Sequence, residues 1–412
     1  MSNMLIGITI IIAALVDLLL IVTGPGEVKG AAPAQQRVVK AISKSRSSLA
    51  GRINVLDHGV KGIGCSHDDA PAIRLIFSGR IEGKTIFFPP GRIYCFKTNI
   101  PPGYPAFNRT SVLVSQKSKF NVIATGATFI THHSIPLTTT FTFDRASDWS
   151  WKGGSFIGSR AGLSPSAENV AIGLANVERF RVSDAAFTGY GGLGAAFAGD
   201  WIVSGEFVRL KMQGVGICFD LAFLKSVRIK DVVANGADSD GQSGAGQMGE
   251  KCFSTIQDGP LASHNRTSIA FRQTKDVTVE NLDASNFRTG VAVASGKGYR
   301  FINNNIHDNP GGVTPGVGYY FYYINGGKFS SAGAPVSDVE IIGGKVSNNG
   351  PRSNGFGVLI DADTIANGDR MQDFSVSSVT FSNRTNIRTV GARLTGVGLS
   401  KNSFDGALQS SP

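Results

Sequence analysis

From Val122 onward one apolar pattern recurs: a large apolar residue, a second two positions later, and a third seven positions after the first. The copies are Val122, Ala124, Phe129; Trp149, Trp151, Phe156; Phe180, Val182, Phe187; Trp201, Val203, Val208; and Val227, Ile229, Ala234. They continue as Val277, Val279, Ala284; Tyr299, Phe301, Ile306; Val339, Ile341, Val346; Phe374, Val376, Phe381; and Val397, Leu399, Phe404. A spacing of two is the strand period, so the first pair of each copy faces one side, and the third residue must re-enter the same core after a bend. Four positions after the start, in eight of the ten copies, stand Gly126, Gly153, Asp184, Gly205, Asp231, Asn281, Asn303 and Gly343, residue types that tolerate left-handed backbone angles. A short strand, a one-step bend and a second short strand per turn predict the coils of a parallel β-helix, each coil burying the apolar face of the next.

The tightest intervals between starts are about 21 to 23 residues, so longer ones carry insertions. The longest separates Val227 from Val277, and others follow Tyr299 and Val339. Loops on a rigid scaffold are where chemistry concentrates, and these three can line one side of a groove. Equally, they can be decorations, or the first can hide a degenerate coil.

Upstream, Ile53 to Phe96 reads as strand, glycine loop, short helix, strand. Gly59, Gly62 and Gly64 permit tight turns, and Asp68 and Asp69 offer oxygens to the open N–H groups of a helix from about Ala70 to Phe77, with Pro71 in its first turn. Thr85 to Phe88 suits a strand that Pro89-Pro90-Gly91 ends.

This stretch resembles the N-terminal capping segment of the pectate-lyase-like right-handed parallel β-helix superfamily, through Val55, Asp57, Gly59, Gly62, Gly64, Asp68, Asp69, Pro89, Pro90, Gly91 and Tyr94. His58 and Ile63 depart from that pattern, where the family has an aromatic and an acidic residue. The resemblance implies an all-β fold, a single right-handed parallel β-helix with a short N-terminal capping helix. Many activities share the cap, so it implies fold more than chemistry. The domain reading is residues 1–30 as an export signal or membrane anchor, 31–52 as a basic linker, and 53–412 as the β-helix, with the cap at 53–96.

Composition fits this picture, with 52 glycines in 412 residues and 17% charged residues. The formal charge of +10 favours an acidic partner such as a uronic-acid polysaccharide. No dense Lys/Arg block with interleaved aromatics appears, so no nucleic-acid partner is expected. Met4 to Val22 is apolar except for Asp17 and about long enough to span a bilayer, which predicts N-terminal membrane contact. Gly30, Ala31 and Ala32 suit a cleaved export signal, whereas the basic residues that follow suit a retained anchor with a cytoplasmic C-terminal side. Export, to periplasm or exterior, is the leading expectation. Cys65 with Cys95, and Cys218 with Cys252, can pair locally in an oxidising compartment, or stay buried thiols.

The first insertion gathers the candidate chemistry. Asp238 and Asp240 lead as acid and base, Glu250 and His264 stand in reserve, and Arg228, Lys230, Lys251 and Arg266 are candidate binders of a substrate carboxylate. Arg228 and Lys230 alternate outward around Ile229 on a predicted strand. Polygalacturonases of the same superfamily carry Asn-Thr-Asp, Asp-Asp, Gly-His-Gly and Arg-Ile-Lys in that order. Asp238-Ser239-Asp240-Gly241 only echoes the first of these, and Arg228-Ile229-Lys230 comes too early. His307 with Asp308 forms a second candidate site, and the aromatic run Tyr319 to Tyr323 is a candidate sugar-stacking platform or buried strand packing.

Three classes of function remain in view. The leading one is an enzyme cleaving an extracellular acidic polysaccharide, by hydrolysis between two carboxyl groups or by β-elimination with a base and a neutralised uronate. No cofactor is expected, apart from Ca²⁺ if the enzyme is a lyase. The alternatives are a non-catalytic polysaccharide-binding or exopolysaccharide-assembly protein and, last, a phage-like spike module.

Overall fold

The structure, a computed structural model, describes residues 51–100, 109–132, 138–158, 169–191, 194–237, 249–255, 274–310, 316–322, 335–350, 355–362, 370–391 and 393–407. The chain divides into two compact units, Met1–Arg52 and Ile53–Pro412, and the first lies almost wholly outside the described residues. Among the described residues no helix is long and apolar enough to cross a membrane, and the Met4 to Val22 run lies outside them.

The second unit is a stack of parallel strands in which every coil contributes to three sheets, one more than the apolar pattern predicts. The first sheet holds Ser118–Ile123, Ser147–Lys152, Lys297–Ile302, Ser337–Ile342, Met371–Ser377 and Leu394–Ser400, and the second includes Thr128–Thr131, Ser155–Ile157, Asn305–His307 and Lys345–Ser347. The third includes Thr110–Ser115, Thr139–Asp144, Gly249–Ser254, Phe287–Val293, Val317–Tyr322 and Phe356–Asp361. In mid-stack, Ala195–Gln213 and Ile217–Asn235 each bend through all three as one continuous strand. The 50-residue interval after Val227 is therefore not one loop, because Gly249–Ser254 is the third-sheet strand of that coil and pairs with both neighbours.

Register confirms the repeat and corrects its phase twice. Trp149, Phe180, Val227, Val277, Tyr299, Val339, Phe374 and Val397 all lie on one row, as read. In the first copy the row residue is Phe120, not Val122, since two extra residues before the bend let buried Ala124 imitate the pattern. In the fourth it is Gly205, not Trp201. Trp201 instead turns a corner at φ +60° and stacks on Phe223, with centroids 4.2 Å apart, so it does not continue the Trp149–Phe180 stack. Gly205 escapes a search for large apolar residues because its place is filled from the neighbouring coil: a Cβ there would lie 2.5 Å from the Phe180 ring.

With the phase corrected, the bend four residues after the start is left-handed in nine of the ten copies, at Gly153, Asp184, Arg209, Asp231, Asn281, Asn303, Gly343, Ser378 and Lys401, and in the first copy it comes six after Phe120, at Gly126. Non-glycine residues at such angles cost roughly 1–2 kcal/mol each. Here several are tied across coils, Arg209 Nε donating to Asp184 Oδ1 at 2.7 Å and Asn281 Nδ2 to Asp231 Oδ1 at 2.7 Å. Inside, aromatic rings stack in register: Phe129, Phe156 and Phe187 follow at 4.8 and 5.0 Å, and Trp149 stacks on Phe180 at 4.9 Å. Such pairs add about 0.5–1.5 kcal/mol each beyond area burial.

At the N-terminal end, helix α1 (Ala70–Ser78) buries Ala70, Ile73, Ile76 and Phe77, with Phe77 edge-on to Phe141, and leaves Leu75 exposed. Asp68 accepts from the Ala70 N–H at 3.1 Å, as a cap should. Asp69 does not cap. Fully buried, it accepts from the N–H groups of Lys61 (2.8 Å), Gly62 (3.2 Å) and Cys95 (3.2 Å), so it clamps the glycine loop to the second sheet. Gly62 must be glycine there: its φ is +59°, and a Cβ would lie 2.9 Å from the Tyr94 ring. A Cys65–Cys95 disulfide closes the same loop. Cys218 and Cys252 are free, buried thiols on neighbouring third-sheet strands, so the second local pairing is not formed.

Candidate functional site

Outward residues of the first sheet form rows along the stack, one residue per coil at about 4.8 Å. One row reads Asn121, Ser150, Arg181, Glu206, Arg228, Thr278, Arg300, Glu340. Cations and carboxylates alternate along it and pair: Arg181 with Glu206 at 2.7 Å, Arg300 with Glu340 at 2.8 Å, while Glu280 on the adjacent row takes both Arg228 and, at 3.0 Å, Lys230. At the N-terminal half of this face lies a groove of about 540 Å³. Its floor is the strands at Trp149, Phe180 and Gly205, whose side-chain positions face the core, while the small outward Ser204 and Ser226 leave it open, and Asn121, Ser150, Arg181, Glu206 and Arg228 complete it with the Asp148–Arg179 pair. Hydroxyl, amide and charged groups along an open groove are what hydrogen bonding to a sugar's hydroxyls needs.

Three carboxylates on this face and at its bend are held ionised. Hydrogen bonds from Arg179 keep Asp148 below the usual carboxylate range, Arg209 does the same for Asp184, and Arg228 followed by Lys230 for Glu280. A general acid must carry a proton at working pH, so Asp148 and Glu280 suit positioning rather than proton donation. Among the described residues no group of three or more His, Cys, Asp or Glu side chains is placed to hold a metal ion, Ca²⁺ included.

Of the residues singled out in the sequence, Arg228 and Lys230 do flank Ile229 on the outward face, with Glu280 between them on the next coil. Asp238, Asp240, His264 and Arg266 lie outside the described residues. Glu250 and Lys251 belong to Gly249–Ser254, where Lys251 stands beside Ile217 and Thr289. His307 is clasped on both sides, Nδ1 to Asp308 at 2.6 Å and Nε2 to Asp283 at 2.9 Å, which leaves neither ring nitrogen open to a substrate. In the aromatic run, Tyr319 and Phe321 are core residues, while Tyr320 and Tyr322 lie outward on the third sheet.

Sequence reasoning missed Arg181 and Glu206, which the corrected phase places in one row with Arg228, and Glu280, which stands beside Lys230 on the next coil. It also missed Asp144, Asp200 and Asp220. These alternate with core residues Phe143 and Leu221 and with Gly199, so they lie on the outward side of the third sheet, yet are only 2%, 3% and 1% exposed. The two-strand pattern gave no reason to look there.

No protein-family model matches the chain, and no curated protein does. Among solved structures, a tailspike protein of E. coli bacteriophage HK620 in complex with pentasaccharide is similar with a TM-score of 0.59 and 13% identity, over 89% of this chain and 64% of that one. PfbA, a surface adhesin of Streptococcus pneumoniae, matches at 0.51 and 12% over 86% and 93%, and an endo-xylogalacturonan hydrolase from Aspergillus tubingensis at 0.50 and 12% over 84% and 97%. The chain thus spans just under two thirds of the tailspike chain. Likeness at this identity speaks to architecture, and it agrees with the register of the strands: the chain has the right-handed parallel β-helix fold.

Proposed function

We propose that the chain is an exported protein that binds an extracellular polysaccharide along the outward face of its first sheet. The observation that carries this reading is the groove at Trp149 and Phe180, continued along the stack by alternating Arg and carboxylate side chains one coil apart. A linear polymer running along the stack would meet polar or charged side chains at every coil. Named neighbours of this fold include one bound to a pentasaccharide and one acting on xylogalacturonan, which supports the ligand class. The Cys65–Cys95 disulfide supports export, since such bonds persist in oxidising compartments.

A second reading, cleavage of a polymer held on the third-sheet face rather than the first, is favoured by the outward carboxylates Asp200 and Asp220 on adjacent strands of that sheet. Hydrolysis uses two carboxyl groups flanking the scissile bond. Asp238 and Asp240 stay candidates for the same role.

Affinity electrophoresis of the full chain through acidic polymers (polygalacturonate, alginate, hyaluronan) and neutral ones (dextran, galactomannan) tests both readings, with reducing ends and unsaturated uronates followed in parallel. Retardation that is lost in Ser150→Trp, which fills the groove, supports the binding reading. Retardation by no polymer, or undiminished retardation of Ser150→Trp, overturns it. New reducing ends that disappear in Asp200→Asn or Asp240→Asn add cleavage, and their absence with every polymer that binds removes it.

A further inference from the structure

The outward face of the third sheet changes character toward its C-terminal coils. In Val317–Tyr322 the inward side chains of Tyr319 and Phe321 are buried, whereas Tyr320 and Tyr322 stand outside, half-buried, with centroids 4.4 Å apart and ring planes 17° from parallel. One coil on, Leu359 and Asp361 face them, and the Tyr320 hydroxyl donates to Asp361 Oδ2 at 3.4 Å. Beyond these, Leu359 faces Arg388, which is exposed, holds its guanidinium 5.2 Å from the Phe356 ring centroid, and forms no ion pair among the described residues. The contrast with the first sheet is sharp, because Arg179, Arg181, Arg209, Arg228 and Arg300 are all neutralised there by a carboxylate.

From the tyrosines to Arg388 is a distance of two coils, about 10 Å at the usual strand spacing. That is the reach of two sugar rings in an extended chain. The three side-chain types divide the work of holding them. Aromatic rings pack against the C–H face of a pyranose, a carboxylate accepts from neighbouring hydroxyls, and a guanidinium matches a carboxylate through two parallel N–H bonds. We propose that Tyr320, Tyr322, Asp361 and Arg388 form a second carbohydrate subsite, selective for a uronate-bearing segment of polysaccharide. The proposal rests on the polysaccharide reading above and adds to it a place and a sugar class. Burial, then the nearby Asp361 charge, pushes the Tyr320 hydroxyl up to about 12, so it remains a donor across the physiological range.

Isothermal titration of the full chain with oligogalacturonate, oligomannuronate and hyaluronan fragments, each beside its carboxyl-reduced counterpart, tests the assignment. The double variant Tyr320→Ala/Tyr322→Ala is expected to lose about tenfold in affinity for whichever probe binds, and Tyr320→Phe/Tyr322→Phe to stay within about threefold. Arg388→Gln is expected to abolish the preference for the acidic probe while retaining binding of the reduced one. If wild type binds but the alanine variant binds equally, or Arg388→Gln keeps the preference, the subsite is refuted and the groove reading stands. If wild type binds no probe, and no polymer of the wider panel, the polysaccharide reading falls and the subsite falls with it. Circular dichroism verifies the β fold of each variant, and should the alanine pair fail to fold, the Arg388→Gln preference alone decides.

Discussion

Truncating Asn349 to alanine is expected to destabilise the stack although no apolar contact of consequence is lost. Asn349 is 2% exposed and sits in a buried ladder of asparagines at one corner of successive coils. Its Oδ1 accepts from Asn309 Nδ2 at 2.8 Å, and its Nδ2 donates to the Ile306 carbonyl at 3.1 Å and to Asn383 Oδ1 at 3.2 Å. In Asn349→Ala the Asn383 oxygen keeps the bond it already accepts at 3.0 Å from the residue 349 backbone N–H, but the Asn309 amide and the Ile306 carbonyl lose partners that water is poorly placed to replace. A buried polar group left unpaired costs about 1–3 kcal/mol, so two of them cost roughly 2–4 kcal/mol after local relaxation. With a urea slope of about 3 kcal/mol/M, the midpoint falls by about 1 M. Half-exposed Asn305→Ala, which gives up a single bond to Asp283, is the control and should stay within about 0.5 kcal/mol of wild type. An Asn349→Ala midpoint indistinguishable from that control would refute the claim that the ladder is an energetic part of the corner.

Three further outcomes follow from particular contacts. Gly205→Ala forces the Phe180 ring from its seat, so it should cost about 1–3 kcal/mol in urea unfolding and weaken any ligand held in the groove; a variant as stable as wild type contradicts the packing described. Asp148, Asp184 and Glu280 have folded pKa values depressed by Arg179, Arg209 and Arg228, so their contribution is present above the unfolded carboxylate range of about pH 4 and is lost as pH falls through the folded values. A melting temperature that is flat from pH 7 to pH 5 and declines below about pH 4 fits, the decline being small because exposed pairs are screened; a rise below pH 4 does not. Reducing Cys65–Cys95, which closes a 30-residue separation, should lower stability by about 3–4 kcal/mol, measured as a thermal shift with and without dithiothreitol.

What the sequence disclosed follows its own periodicities. Inward residues of the first two sheets recur at a fixed spacing around a left-handed bend, so Trp149, Phe180 and Tyr299 announce the coil, and the cap is legible because Gly62 and Asp69 have little freedom to differ. The third sheet escaped, since its strands are joined to the first by loops of very different length: Val170–Ser183 runs straight through, while Gly249–Ser254 is flanked by long insertions. Without that sheet, Asp200, Asp220 and Asp361 had no common face, and Tyr320 with Tyr322 could not be separated from the core residues Tyr319 and Phe321. The groove escaped for a different reason. It depends on small outward residues, Ser150, Ser204 and Ser226, that carry no apolar signal, and on pairings such as Arg181–Glu206 that join residues 25 positions apart.

Hydrogen–deuterium exchange of the full chain, free and saturated with whichever polysaccharide retards it most, tests the central claim most directly. The account predicts slowed exchange in peptides covering Ser118–Ile123, Ser147–Lys152 and the segments around Arg181, Glu206 and Arg228, with unchanged exchange in helix α1. Bound polymer that leaves those peptides unprotected, while protecting only the cap or the second-sheet face around His307, would contradict it.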